Sequence, residues 1–220
     1  ECKLDASNTV FEKNKSTNAG GGAIVNMEEL TLDSCTFTKN IAKNNGGAVY
    51  NDGTTVADAC TFRENQSMDG HGGAIFQYNG SVTLNGGEIT RNSSNKSGGG
   101  VYVDEESDNF KIQGSLNITD NGSSSVFLDE DEIIKVIGPL ADNARIGIML
   151  YNISGTFTSG FASSGSGSDP SKYFIPDRDY AVIADKNGEA LLIESDWSIL
   201  RRQFENAGMY ELITLDRDWS

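Results

Sequence analysis

The sequence predicts an all-β protein, a right-handed parallel β-helix of about five to six coils with a C-terminal β-hairpin cap and a short terminal helix. The first observation is a repeat of roughly 26 residues, a period in the range of stacked repeat architectures. The second is that each repeat contains two or three short alternating runs separated by tight turns, which is typical of strands. The third is that no window before residue 195 has helical spacing.

Each repeat is built on a Phe/Ile-x-x-Asn core. Stacked coils place equivalent residues in columns, so the apolar members should form an interior column stabilised by burial. The asparagines should form a column at a corner, because asparagine tolerates left-handed backbone and its amide can bond to the amide one rung away. The apolar members are Phe11, Phe37, Phe62, Ile89 and Ile118, and the ladder asparagines are Asn14, Asn40, Asn65, Asn92 and Asn121.

A glycine pair and a short β-branched or aromatic strand complete each repeat. The pairs let the chain turn where a Cβ would clash, and they are Gly21-Gly22, Gly46-Gly47, Gly72-Gly73 and Gly98-Gly99. The strands after them align on Ile24, Val49, Ile75, Val101 and Val126, which should face the interior.

An aromatic column follows that interior column and should point outward. Its members are Tyr50, Phe76, Tyr102 and Phe127, with Val25 at the start. A row of exposed aromatics can bind sugar rings or dock a protein partner, so these four are the candidate ligand-binding residues. The alternative is that the rings stack across rungs or are covered by another part of the chain.

A second outward column consists of polar residues that follow a strand. Three carboxylates one rung apart would repel unless each caps turn amides or they share a divalent cation. Turn capping is the simpler interpretation, and Ca²⁺ is the one cofactor that this column could hold. The members are Asp5, Asp33, Asp58, Asn85 and Gln113.

The cysteines and the histidine offer little chemistry. Cys35 and Cys60 share a repeat position, so they can be either a disulfide or a reduced buried pair, and Cys2 lies outside that register. His71 is the only histidine, which argues against zinc. No phosphate-binding loop or catalytic serine motif stands in a suitable context. The sequence therefore predicts no catalytic and no metal residues.

The repeat decays from residue 104. Acidic insertions occupy 104–109 and 129–132, and strands are predicted at 133–137 and 144–150, separated by Gly138-Pro139. A Ser/Gly-rich segment at 155–170 predicts a mobile loop. Asp185-Lys186-Asn187-Gly188 between two apolar runs predicts a hairpin that caps the open end.

The last residues change character. A helix is predicted from Ser195, with Trp197, Leu200, Phe204 and Ala207 on one face, followed by a strand at 211–215. The predicted division is a β-helix at 1–153, a loop and hairpin cap at 154–194, and the start of a next module at 195–220. Because Glu1 falls inside a repeat, we expect a fragment with neighbouring modules.

Composition restricts the partners. The 220 residues include 25 Gly and 3 Pro and carry a net charge of −15. That charge disfavours nucleic acid and anionic membrane surfaces, and no apolar run is long enough to insert into a membrane.

The repeat resembles the right-handed β-helix repeats of large bacterial surface proteins, in particular the polymorphic outer-membrane type. The residues that carry the resemblance are 22–24, 47–49 and 73–75, together with Phe37-x-x-Asn40 and Phe62-x-x-Asn65, and it extends over roughly residues 4–193. Similar arrays occur in adhesin-like proteins of gut bacteria. The resemblance implies a secreted or cell-surface protein of a bacterium that binds a host or matrix glycan or protein, or serves as a spacer.

A polysaccharide lyase or glycoside hydrolase of the pectin-lyase-like type is the alternative, because those enzymes share this fold. A hydrolase needs two carboxylates that converge in a groove. Asp33 and Asp58 could supply these carboxylates. A lyase needs a calcium cluster with Arg or Lys as the base, and basic residues do not recur beside the two aspartates. The sequence therefore favours a non-catalytic module.

Overall fold

The structure is a computed structural model that describes residues 2–152, 154–176 and 180–195. The described residues are almost entirely strands and turns, with one short 3₁₀ helix at Pro170–Lys172. The strands are β1 Lys3–Ser7, β2 Val10–Glu12, β3 Lys15–Ser16, β4 Ile24–Asn26, β5 Glu29–Asp33, β6 Thr36–Thr38, β7 Ile41–Ala42, β8 Val49–Arg63, β9 Gln66–Ser67, β10 Ile75–Thr90, β11 Ser93–Ser94, β12 Val101–Val103, β13 Asn109–Thr119, β14 Val126–Leu128, β15 Ile134–Leu140, β16 Arg145–Leu150, β17 Gly155–Thr156, β18 Thr158–Ser159, β19 Phe174–Pro176, β20 Tyr180–Ala184 and β21 Ala190–Glu194.

The strands wind into a parallel β-solenoid, as predicted. β8 pairs in parallel with β5 and β6 on one side and with β10 on the other, and β10 pairs with β12 and β13. The solenoid has about seven turns, more than the predicted five to six. The difference arises because β15, β16, β18 and β19 continue the parallel stacking after the repeat has decayed.

The interior column forms as the repeat predicts. The rings of Phe11 and Phe37 stack with centroids 4.5 Å apart, and those of Phe37 and Phe62 stack 4.6 Å apart. Strand register places Phe62 against Ile89 and Ile89 against Ile118. Phe37 and Phe62 are fully buried, and each such burial stabilises the fold by roughly 2–3 kcal/mol.

The asparagine column forms a continuous hydrogen-bonded ladder. Asn65 Oδ1 accepts from both the backbone N–H and the side-chain amide of Asn40 at 2.9 Å. Asn65 Nδ2 donates to the Phe37 carbonyl at 2.9 Å, and the same pattern recurs at Asn92. The ladder therefore satisfies buried backbone groups at every corner.

The predicted backbone conformation of these asparagines is wrong. The left-handed residue is the one before each asparagine, with φ between 55° and 57°. Those residues are exposed and differ in type, so no repeated amino acid marks the left-handed position in the sequence. They are Lys13, Lys39, Glu64, Arg91 and Asp120.

The glycine pairs serve two separate purposes. The first glycine adopts positive φ, as at Gly46 with φ 72°. The second packs against the next coil, where a Cβ on Gly47 would lie 2.0 Å from the Gly73 carbonyl oxygen. Both members are therefore required for tight stacking.

The C-terminal end closes with the predicted hairpin. β20 and β21 are antiparallel around a turn in which Gly188 N–H donates to the Asp185 carbonyl at 2.9 Å. Val182, Ala190 and Leu192 pack onto the core of the solenoid. The hairpin therefore covers apolar surface at the last turn.

Two expectations near this end need correction. Residues 155–170 are not a free loop, because Phe157 and Phe161 are buried and Glu189 accepts from the backbone N–H of Phe161 at 3.0 Å. Gly138 and Pro139 do not separate two strands, because both lie within β15, where the register shifts. The predicted terminal helix and the strand at 211–215 lie outside the described residues.

Candidate functional site

The outer aromatic stack consists of Tyr50, Phe76, Tyr102 and Phe127. Strand register places each ring directly against the next, as predicted. Successive ring centroids lie 5.3, 5.4 and 5.3 Å apart, with interplanar angles of 23°, 10° and 4°. The stack thus follows the long axis of the solenoid on its outer face.

Most of this stack is covered, which corrects the expectation of an exposed row. Phe76, Tyr102 and Phe127 are only 3, 6 and 9% exposed, while Tyr50 is half-buried. The preceding glycine corners lie close to the rings, since a Cβ on Gly98 would lie 2.8 Å from the Tyr102 Cβ. Cross-rung stacking, the alternative interpretation, describes these contacts.

Tyr102 is held on both sides. Its hydroxyl donates to Asp129, and the His71 ring lies 4.3 Å from its own ring. Burial, together with the hydrogen bond to Asp129, raises the pKa of Tyr102 well above its usual range. Burial lowers the pKa of His71, and Lys96 adds to this effect. Both side chains therefore stay uncharged at neutral pH, as members of a packed cluster.

The exposed part of the aromatic face contains a ring that sequence reasoning missed. Tyr78 is 37% exposed, with its ring centroid 6.4 Å from that of Tyr50 and 6.5 Å from that of Phe76. In the pairing of β10 with β8, Gln77 lies opposite Asn51 and Asn79 lies opposite Asp52, so Tyr78 is an extra residue in a bulge. Such bulges re-aim a side chain. The sequence signal for this extra residue was the 27-residue spacing from Phe62 to Ile89, which exceeds the repeat of roughly 26 residues.

The polar column differs in membership from the prediction. Asp33, Asp58, Asn85 and Gln113 do lie in register, but Asp5 pairs with Thr31, and Ser7 lies beneath Asp33. Asn85 donates to the Asp58 carboxylate, and Gln113 donates to Asn85 at 2.8 Å. Amide hydrogen bonds thus offset part of the repulsion between carboxylates.

A second interior column of amides, Asn26, Asn51 and Gln77, was also missed. Asn26 Nδ2 donates to Asn51 Oδ1 at 2.8 Å, and Thr55 donates to the same oxygen at 2.6 Å. Gln77 continues the column and is fully buried. The sequence signal for this column was the amide residue that directly follows Val25, Tyr50 and Phe76. Val103 and Leu128 then replace it with apolar packing.

The two acidic insertions lie close together beside the aromatic stack, and Asp104 is near both Tyr50 and Glu132. Glu132 lines a groove with Asp129, Asp131 and Thr156. Burial and the nearby carboxylates of Asp104 and Asp129 raise the pKa of Glu132 to about 7. Within residues 2–152, 154–176 and 180–195, no three His, Cys, Asp or Glu side chains converge as a metal site.

Cys35 and Cys60 occupy neighbouring rungs and are both buried free thiols, while Cys2 is exposed. Burial raises the pKa of the Cys60 thiol to about 11. A thiol with so high a pKa is a poor nucleophile at neutral pH, so the pair serves as apolar filling.

Comparison with known proteins identifies the type of repeat. Residues 34–52 match the Chlamydia polymorphic membrane protein repeat. This segment runs from Ser34 through Phe37 and the Gly46-Gly47 corner to Asp52, so it contains one ladder asparagine, Asn40, and the first ring of the aromatic stack, Tyr50. No curated protein and no solved structure matches the chain.

The match and the solenoid together support a β-helix repeat of the bacterial surface-protein type. The matched family is one of polymorphic membrane proteins, and the match covers 19 of the 220 residues. Over the described ranges, no helix has the length and apolar character needed to cross a membrane.

Proposed function

We propose that this chain is a non-catalytic extracellular module of a bacterial surface protein, secreted or held at the cell surface, which binds a host or matrix glycan or protein. The observation that carries the proposal is the presence of two continuous columns on the same coils. The asparagine ladder makes the coils a stiff rod, and the aromatic stack runs along the outside of the same coils. The accessible rings, Tyr50 in the stack and Tyr78 beside it, could contact a ligand at a distance from the cell.

Binding arrays test this function. The purified chain would be applied to arrays of glycans and immobilised matrix proteins, beside a Tyr50→Ala variant and a Tyr151→Ala control. Tyr151 is 58% exposed and is not a member of the outer aromatic stack. Binding that Tyr50→Ala weakens supports an adhesin. No binding to any surface favours a spacer.

An enzyme is the second candidate, and Glu132 is the residue that favours it. A carboxyl group with a pKa of about 7 in a groove beside other carboxylates has the properties of a general acid. Release of reducing or unsaturated sugars from pectin or mucin, abolished by Glu132→Gln, would replace the adhesin proposal with a polysaccharide-active enzyme.

A further inference from the structure

The exposed end of the aromatic face has a definite composition. We define the Tyr50–Tyr78 patch as Tyr50 and Tyr78 together with Val25, Asp52 and Asp104. The Tyr78 ring centroid lies 6.5 Å from that of the buried Phe76, and Tyr78 keeps 37% of its surface accessible. Val25 lies against Tyr50 in strand register and is 49% exposed. The patch therefore combines solvent-accessible apolar and aromatic side chains with two carboxylates.

The bulge makes this patch particular to one coil. Asp52 and Asn79 are directly opposed in the pairing of β8 with β10, and Gly53 and Gly80 follow in the same register. The strand would keep its pairing without the extra residue. Tyr78 adds a ring on the outer face that the ladder does not require.

The charge around the patch is negative and uncompensated. Burial raises the pKa of the Tyr50 hydroxyl, and the carboxylates of Asp52 and Asp104 raise it further. The ion pairs formed within residues 2–152, 154–176 and 180–195 involve neither Asp52 nor Asp104. The acidic insertions extend this negative field toward the C-terminal end. Anionic sugars would be repelled here.

We infer that the Tyr50–Tyr78 patch binds a basic protein segment, with an arginine guanidinium stacked on Tyr78 and Tyr50 and paired with Asp52. This inference deepens the proposed function and rests on it. Arginine fits because its planar cation stacks on aromatic faces and pairs with carboxylates in one side chain. A neutral sugar would use the rings but would gain nothing from the surrounding charge. Complementary charge also steers association, which makes the on-rate sensitive to salt.

The test is a titration of the full chain against fluorescein-labelled hexa-arginine, hexa-lysine and hexa-glutamate, and against a neutral hexasaccharide. We expect the order arginine, lysine, then glutamate, and weaker arginine binding at 0.3 M salt than at 0.05 M. Tyr78→Ala and Asp52→Asn should each weaken hexa-arginine binding about fivefold. Tyr78→Phe, which keeps the ring, should change it less than about twofold.

Matched controls separate the patch from the overall charge. Asp33→Asn removes one exposed carboxylate elsewhere, and Tyr151→Ala removes one exposed ring elsewhere, so each should change binding less than about twofold. Circular dichroism confirms that each variant is folded. Equal effects of Tyr78→Ala and Tyr151→Ala would overturn the inference, as would neutral-saccharide binding that depends on Tyr78.

The outcomes also separate this inference from the proposed function. Binding of any array ligand that is independent of Tyr78 and Asp52 overturns the basic-segment site and leaves the adhesin intact. Failure of all arrays and all peptides overturns both, and it favours the spacer.

Discussion

The asparagine ladder and the outer aromatic stack lie on the same coils but differ in what their repetition means. Both columns place like residues one rung apart, yet every ladder amide from Asn40 to Asn92 is buried and bonded in the same way. The aromatic stack alternates Tyr and Phe, is partly open, and gains an extra ring at Tyr78. Strict repetition therefore marks the residues that hold the fold, and a departure from the repeat marks the surface available for binding.

The largest effect should come from the interior column. Phe62→Ala removes a fully buried ring from the middle of the stack, and we expect it to lower the free energy of unfolding by about 4 kcal/mol. Tyr50→Ala in the outer stack should cost only about 1–2 kcal/mol, because Tyr50 is half-buried. Urea denaturation of both variants tests the contrast, and equal losses would contradict it.

The next effect concerns the ladder itself. Asn65→Ala leaves two N–H donors of Asn40 and the Phe37 carbonyl without partners in the interior, and we expect a loss of about 3 kcal/mol. The matched control is Asn95→Ala, whose side chain is exposed and which should cost less than about 0.5 kcal/mol. If chemical denaturation finds the two variants alike, the ladder does not stabilise the stack.

A smaller effect depends on pH. Because the folded pKa of Glu132 is raised from 4.5 to about 7, the folded state holds a proton that the unfolded state releases between those values. The contribution of Glu132 to the free energy of unfolding is therefore fully present below pH 4.5, and it is lost as the pH rises to about 7. Glu132→Gln should stabilise the protein by on the order of 1 kcal/mol at pH 8, a value reduced for partial solvent exposure.

Thermal unfolding at pH 4.5 and pH 8 measures this dependence. The gain from Glu132→Gln should be present at pH 8 and absent at pH 4.5. The same gain at both values would mean that the carboxyl group titrates normally. Asp131→Asn, at an exposed neighbour, serves as the charge-matched control.

The smallest effect on stability should come from the patch. Tyr78→Ala removes a ring that is already 37% exposed, so the free energy of unfolding should fall by less than about 1 kcal/mol. Differential scanning calorimetry on the variant, with Tyr78→Phe beside it, checks this value. If Tyr78→Ala lowered the free energy of unfolding as much as Phe62→Ala, Tyr78 would be a core residue and the proposed binding role would be contradicted.

The repeated positions were predictable from sequence because they recur with little change. The repeat predicts an interior column that contains Phe37 and Phe62 and a corner column that contains Asn40 and Asn65. Both columns are present in the structure. The left-handed position was hidden, because any side chain that points outward is accepted there, as Lys39 and Glu64 show. Identical residues are visible in one sequence, whereas identical conformations are not.

The positions that broke the repeat were harder to predict. To predict the position of Tyr78, one must know the register of β8 against β10. A one-residue insertion shifts that register without changing the residue types around it. Asp5 was placed in the wrong column because the first coil has no complete repeat before it. The segment at 155–170 reads as a loop by composition, yet Phe157 and Phe161 supply enough burial to pack it.

Side-chain amide exchange measured by NMR tests the stacked-coil account most directly. The Nδ2 hydrogens of Asn40, Asn65 and Asn92 should be protected from exchange with solvent, and Asn40 should show cross-relaxation with Asn65 across one rung. The amide of the exposed Asn95 should exchange rapidly under the same conditions. If the ladder amides exchange as fast as Asn95 and show no cross-rung contact, the coils do not stack in this register.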